Sequence, residues 1–345
     1  MPDYLLILAP SANRVYTAAT PALAAAELAV TVPQATQIEQ VQVAGMACLA
    51  FTVEQLGDTL ARQLAHQSSA LGLFRRVTGD LLQPVTLPGV RVLDDDLVTI
   101  PKYPGKTNEL FTRLLCNVTT SQVATGRTRL EILDPLAGRG TTLLVAWLTG
   151  HDGFGVELDA RAFDAMAAYL KTYLRRKRLK HACEVTPVRR EGRLIGRRLD
   201  ARLTREPALT LTVFTGDCRD SAKLYGRKAF DAIITDAPYG VVHTARQDRR
   251  RDHSPAALLA EAIPVWAGQL RPGGAMGISW NSHGLSRTEL QGMLTGSGLR
   301  VCSGGGWENF AHQVDAGILR DLIVATKPGA QGPASTSSIS PSPMP

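Results

Sequence analysis

Asp236-Ala237-Pro238-Tyr239-Gly240 is a stretch whose residue types could do chemistry. It follows the apolar run Phe230 to Thr235, which predicts a buried strand. A carboxylate, a proline and an aromatic at a strand's carboxyl end put a hydrogen-bond acceptor beside a stacking surface. Open α/β sheets bind their ligands at that edge. Taken alone, the stretch is equally a strand followed by a Pro-Tyr-Gly turn.

Other acids stand at other strand ends. Leu130 to Leu133 predicts a strand, followed by the loop Asp134-Pro135-Leu136-Ala137-Gly138-Arg139-Gly140-Thr141. Glycines there let backbone approach a ligand closely. Leu143 stands where a dinucleotide fingerprint wants a small residue, and the Lys-Thr end of a phosphate loop is missing. Glu157 follows the strand Gly153 to Val156, where a carboxylate can accept from ribose hydroxyls. Asp217 follows the strand Leu209 to Phe214, where an acid can accept from an adenine amino group. Each acid alone suits a solvated strand end. In register around a glycine loop they favour an adenosine site. Upstream, Pro101 to Glu109 is either a Pro/Gly loop with a Thr or Asn cap, or a loop whose Lys106 and Thr107 reach a bound cofactor.

The elements that must position these residues follow from periodicity. From Arg129 strands and helices alternate, which predicts an α/β fold with a parallel sheet. Before it, strands at Tyr4–Ala9, Val41–Val53 (broken at Gly45), Leu71–Val77 and Leu81–Leu87 combine with helices at Pro21–Val30, capped by Thr20, and Glu54–His66. That order allows a ferredoxin-like α+β sandwich, with His66 on an exposed helix face. Asp94-Asp95-Asp96 marks the boundary between a small N-terminal domain, residues 1–96, and the α/β domain, residues 97–327. Residues 328–345 are rich in Pro, Ser and Gly and predict a disordered tail.

Composition sets limits. The 345 residues include no apolar run near the roughly 20 needed to span a membrane, and the N-terminus has no basic leader. Five scattered cysteines form no Cys-x-x-Cys pair, so neither a zinc site nor a disulfide framework is indicated, and a reducing cytoplasm fits. Net charge is +7, yet Lys171 to Arg205 alone holds thirteen Lys/Arg against three Asp/Glu, a local +10 that leaves −3 elsewhere. This basic insertion, 171–205, joins the end of a helix predicted over Ala160 to Arg178 to His181–Arg205, which reads as an inserted hairpin turning near Glu191-Gly192. It is either a solvated surface or a phosphate-binding face, and concentrated charge favours a polyanion partner. Arg175, Arg176, Arg189 and Arg190 are its candidate contacts, joined by Arg246, Arg249 and Arg250 beyond the Asp236 stretch.

Asp134 to Thr141, Glu157, Asp217 and Asp236 to Gly240 together resemble the motif series of class I S-adenosylmethionine-dependent amino-methyltransferases, most of all the tRNA guanine-N2 group, over residues 97–328. The resemblance implies a Rossmann-like seven-stranded sheet with an antiparallel last strand at Leu319 to Thr326. It implies S-adenosylmethionine as cofactor, held by Lys106, Thr107, Asp134, Ala137, Gly138, Gly140, Thr141, Glu157, Asp217, Cys218 and Asp236. The implied substrate is an exocyclic base amine, guanine N2 of tRNA, rRNA or other structured RNA, with Asp236, Pro238 and Tyr239 as catalytic residues and no metal. Asp236 would accept the amine's N–H bonds and Tyr239 would stack on a flipped-out base.

The family pattern is Asp-Pro-Pro-Tyr-Gly, so Ala237 departs from it at the first proline. The first 95 residues also lack the basic character of an RNA-binding domain. Two other readings stay open. One is a DNA adenine-N6 or cytosine-N4 methyltransferase, which would bring a target-recognition domain. The other is a cofactor-binding RNA-binding protein without activity.

Overall fold

The structure, a computed structural model, describes residues 3–11, 13–78, 81–103, 106–204, 206–238 and 254–329. Tyr239, Arg246, Arg249, Arg250, tail residues 330–345 and the side chain of Arg190 lie outside the described set.

The N-terminal unit runs β1 (Asp3–Leu8), α1 (Arg14–Thr31), β2 (Thr36–Val43), β3 (Met46–Thr52), α2 (Asp58–Ala65), β4 (Ala70–Arg76) and β5 (Leu82–Val85). Its strands lie in the order β2-β3-β1-β4-β5, with antiparallel pairings throughout. This is the connectivity of a split β-α-β unit with β5 added at one edge. Ala44 and Gly45, at φ 50° and 79°, form the tight turn between β2 and β3. Helix α1 starts earlier than the Thr20-Pro21 signal suggests. The Asn13 side chain accepts from the Val15 and Tyr16 amides and caps it, while the Thr20 hydroxyl donates back to the Tyr16 carbonyl. Pro21 is therefore inside the helix. His66 is half-buried rather than exposed.

The chain continues through α3 (Asp96–Thr99), α4 (Glu109–Thr120), β6 (Glu131–Asp134), α5 (Thr141–Leu148), β7 (Asp152–Glu157), α6 (Ala160–Arg176), the hairpin β8 (His181–Arg190) and β9 (Arg193–Leu203), and β10 (Thr210–Thr215). Then come α7 (Ser221–Tyr225), β11 (Phe230–Asp236), α8 (Pro255–Gln269), β12 (Leu270–Asn281), α9 (Arg287–Gly296), β13 (Arg300–Val301), β14 (His312–Asp315) and β15 (Ile318–Thr326). The strand order is β13-β15-β12-β11-β6-β7-β10-β9-β8, with β14 pairing on β15. Strands β10, β7, β6, β11 and β12 are parallel, and β15 is antiparallel to β12. Among the described residues the sheet has ten strands rather than seven, because β8/β9 widens one edge and β14 adds to the other. The winding direction reverses between β6 and β11. The crevice above their carboxyl ends is the topological switch point, where such sheets bind ligands.

Alternation along β11 explains why both faces are covered. Ala232 and Ile234 enter the core shared with α4, α5 and α6, and Ile233 enters the core shared with α8 and α9, where Phe230 also lies because the register shifts between Phe230 and Ala232. Gly277 of β12 lies so close to α4 that a β-carbon would stand 1.9 Å from the Thr119 hydroxyl. Ser286 and Glu289 form the expected capping box on α9.

The two units share α1. Ala24 and Leu28 pack in the core of the N-terminal sheet, and Tyr16, Leu23, Ala26 and Val30 pack in the core of the larger sheet. Between these stripes lies Glu27, fully buried, accepting from the Ser68 amide and hydroxyl and from Asn117 Nδ2 at 2.7 Å. The acid triplet acts as a fastening. Lys177 pairs with Asp94 and Asp96, and Arg91 and Arg113 pair with Asp95.

Candidate active site

Strand β6 ends in Asp134, which is buried and turned inward. Its Oδ1 accepts from the Leu136 amide and, at 2.8 Å, from the Thr235 hydroxyl on β11. Burial pushes this carboxyl up to about 7. Asp134 therefore ties the glycine loop to the strand beside it. The Ala137 amide donates to the Val156 carbonyl, and the Gly138 amide donates to Glu157 Oε2 at 2.6 Å. Gly138 sits at φ 53° with open space where a side chain would be. Gly140 sits at φ 86° against Met166, whose sulfur would stand 2.6 Å from a β-carbon, so α5 begins at Thr141 without a side-chain cap. Both glycines are required, one to leave a cradle open and one to let α6 approach.

Glu157 is the second wall. Its oxygens accept from the Gly138 and Asp159 amides, each at 2.6 Å. Burial raises its carboxyl above the usual range. Asp217, at the end of β10, is gripped by Arg219 through both oxygens, and this holds its carboxyl low. Arg219 also pairs with Glu261 on α8 at 2.7 Å. Cys218 is buried, and desolvation pushes its thiol up to about 12.

Asp236 ends β11 at the switch point. Thr107 donates to its Oδ2, and Ser279, on the neighbouring β12, donates to Oδ1 at 2.8 Å. The Ala237 amide donates to the Ser279 carbonyl at 2.8 Å, and the Ala237 side chain is buried. A proline at 237 has no N–H and could not make this bond. Where the resembled family fixes the backbone with a ring, this chain fixes it with a hydrogen bond to the adjacent strand. Pro238 is exposed and borders a cavity of ≈ 370 Å³ lined by Leu259, Trp280, Asn281 and His283.

The 101–108 loop divides its residues. Thr107 reaches Asp236, while Lys106 turns to the Val98 carbonyl and Glu109. Tyr103 makes a 3.2 Å contact with the Thr141 hydroxyl, and the Arg139 guanidinium lies 4.4 Å from its ring centre. Ser279, Asn281, His283 and Tyr103 were not singled out from the sequence. The signal for the first two was their position at the end of the predicted strand Ala275 to Trp280, beside the strand that carries Asp236.

The basic segment is split by the sheet. Arg175 and Arg176 are exposed at the end of α6, which returns to the amino edge. The hairpin then runs the other way. Strand β9 pairs with β10 as far as Arg198 opposite Phe214, so Arg193 to Gly196 and their β8 partners overhang the carboxyl edge. Exposed Arg189 and Arg193 therefore stand on the same edge as Glu157 and Asp236. A ten-residue strand, at about 3.3 Å per residue, separates them from the helix-end arginines.

Sheet order, antiparallel β15, glycine loop and strand-end acids together define a Rossmann-like class I methyltransferase type of fold. No family model matches the chain, and no curated protein matches it. Solved structures of S-adenosylmethionine-dependent methyltransferases are similar to it. TrmN from Thermus thermophilus is 12% identical over 95% of this chain and 100% of its own, with a TM-score of 0.47. The T. thermophilus 16S rRNA N2 G1207 methyltransferase RsmC, in complex with AdoMet and guanosine, is 14% identical over 83% of this chain and 57% of its own, with a TM-score of 0.37. A TehB-like methyltransferase from Corynebacterium glutamicum is 16% identical over 58% of this chain and 82% of its own, with a TM-score of 0.34. At these scores none carries an argument about this chain's substrate.

Proposed function

We propose that this chain transfers a methyl group from S-adenosylmethionine to an exocyclic base amine, guanine N2 of structured RNA such as tRNA or rRNA. The observation that carries the reading is the Asp236 carboxylate, held at the switch point by two hydroxyls from separate elements. The surrounding residues fit the cofactor. The loop is open at Gly138, and each Glu157 oxygen, with one amide bonded, keeps acceptor capacity for ribose hydroxyls. When bound, the cofactor supplies a methyl group on a positively charged sulfur.

The chain's own residues orient the acceptor. A base amine is a poor nucleophile because its lone pair is delocalised into the ring. Asp236 accepts its N–H bonds and fixes the direction of the nitrogen, an effect worth about 7–11 kcal/mol at best. The cavity beside Pro238 takes the flipped base, and Tyr239 supplies a stacking face. Arginines of the hairpin tip hold RNA phosphates.

The test is Asp236→Ala, assayed with labelled cofactor on total tRNA, rRNA and DNA, followed by nucleoside mass spectrometry. Turnover is expected to vanish while calorimetric cofactor affinity stays within about twofold. Normal turnover in the variant, or methyl label recovered only in DNA, overturns the proposal.

A further inference from the structure

Thr107 reaches Asp236 from a loop whose neighbouring residues are tied to different parts of the molecule. On one side, Lys106 Nζ donates to the Val98 carbonyl and to Glu109, both in the larger unit. On the other, Asn108 Nδ2 donates to the Ser11 hydroxyl at 2.7 Å, and Ser11 belongs to the β1–α1 turn of the N-terminal unit. Residues 106–108 have no regular structure of their own, so the direction of the Thr107 hydroxyl depends on both ties.

Both ends of the tie to Ser11 are held in place. Asn108 caps α4, its Oδ1 accepting from the Leu110 and Phe111 amides. An oxygen facing two N–H donors fixes which way the side-chain amide points, and this turns Nδ2 toward Ser11. The Ser11 hydroxyl also accepts from the Asn13 amide at 3.2 Å, and its carbonyl accepts from the Thr17 hydroxyl at 3.0 Å. Asn13 caps α1 through the Val15 and Tyr16 amides, as Asn108 caps α4. The third residue of each helix then packs on the other. Tyr16 stands edge-on to Phe111 with ring centres 6.4 Å apart, and both rings are buried. A hydrogen bond and an aromatic contact therefore register the first turn of α1 against the first turn of α4.

We propose that Ser11 is a positioning residue of the active site. Through Asn108 it sets the direction of the Thr107 hydroxyl, and through Thr107 the orientation of the Asp236 carboxylate. The N-terminal unit, which lacks the basic character of an RNA-binding domain, thus supplies an acceptor that orders the catalytic loop. The inference rests on the methyl-transfer reading, in which Asp236 orients the amine.

The test is a set of variants of the full chain in steady-state methyl-transfer assays with labelled cofactor and total tRNA and rRNA. Ser11→Ala is expected to lower kcat about 3- to 10-fold, the effect of one lost neutral hydrogen bond, with KM for RNA within about twofold. Ser11→Thr keeps the hydroxyl and is expected to hold kcat within about twofold of wild type. The deciding measurement is the double variant. Because Ser11 acts through Thr107, Ser11→Ala is expected to cause no further loss in a Thr107→Val background. Asn108→Asp keeps an oxygen to cap α4 but removes the donor to Ser11, and it gives the same readings if Ser11→Ala does not fold. A structural role alone would lower kcat equally in both backgrounds, and that additivity overturns the inference. So does full kcat in Ser11→Ala. A wild-type chain that transfers no methyl group to any nucleic acid overturns the methyl-transfer reading itself, and the inference falls with it.

Discussion

Two hydroxyls and one amide fix the residues at the end of β11. Thr107 and Ser279 each hold one oxygen of Asp236, so their removal should blunt catalysis without emptying the cofactor site. Thr107→Val and Ser279→Ala are each expected to lower kcat about 10- to 100-fold in steady-state methyl-transfer assays, with cofactor affinity unchanged for Ser279→Ala. Ala237→Pro would install the resembled family's ring, but at the expense of the bond to the Ser279 carbonyl. It is expected to destabilise the protein by about 1–3 kcal/mol in urea denaturation. An increase in stability would mean that the ring suits this backbone after all. Asp236, Glu157 and Asp217 were legible in the sequence because each closes an apolar run. The partnership of Thr107 with Asp236 was not, because no local pattern couples residues so far apart in the chain.

The hairpin β8/β9 is the element that distinguishes this sheet. Its existence and its turn at Glu191 and Gly192 were readable from weak alternation and a turn signal, and both turn residues have positive φ. Its direction was not readable, since direction is set by pairing with β10. That pairing parts Arg189 from Arg175 and Arg176. Arg189→Gln with Arg193→Gln is expected to weaken RNA binding and to flatten the plot of log affinity against log salt by about one to two units. Arg175→Gln with Arg176→Gln is expected to change that slope by less. Equal effects would place the RNA path along the whole insertion. The start of α1 was misread for a related reason. Pro21 is a strong first-turn signal, but the Asn13 cap and the apolar contacts of Tyr16 extend the helix beyond it.

At the scale of the molecule, the N-terminal and C-terminal sheets are joined through a buried acid. Burial pushes Glu27 up to about 7, from a usual value of 4.5. The folded state thus keeps a proton that the unfolded chain releases, so this group favours folding most at low pH. Its contribution falls as pH rises from about 4.5 to about 7, by about 3 kcal/mol in total, and is level above that. Asp134 slopes the same way, and His151, pushed down to about 4, slopes the opposite way below its ordinary range. The decisive reading is therefore a difference. Between about pH 5 and about pH 8 the wild type is expected to lose stability relative to Glu27→Gln in urea titrations. Parallel curves would remove Glu27 as a linked group. Nothing in the sequence marked Glu27, because an acid in an Ala-rich helix looks solvated until a second unit covers it.

The shared helix also has a consequence in time. Tyr16 packs edge-on against His312, so one of the first aromatic rings synthesised waits for one of the last. At ribosomal rates of roughly 5–20 residues per second, its partner emerges some 15 to 60 seconds later. Throughout that interval Tyr16, Leu23, Ala26 and Val30 have only part of their native cover, with Phe111 of α4 arriving early and His312 last. A C-terminally truncated chain would leave part of this apolar stripe uncovered, which is a liability for aggregation.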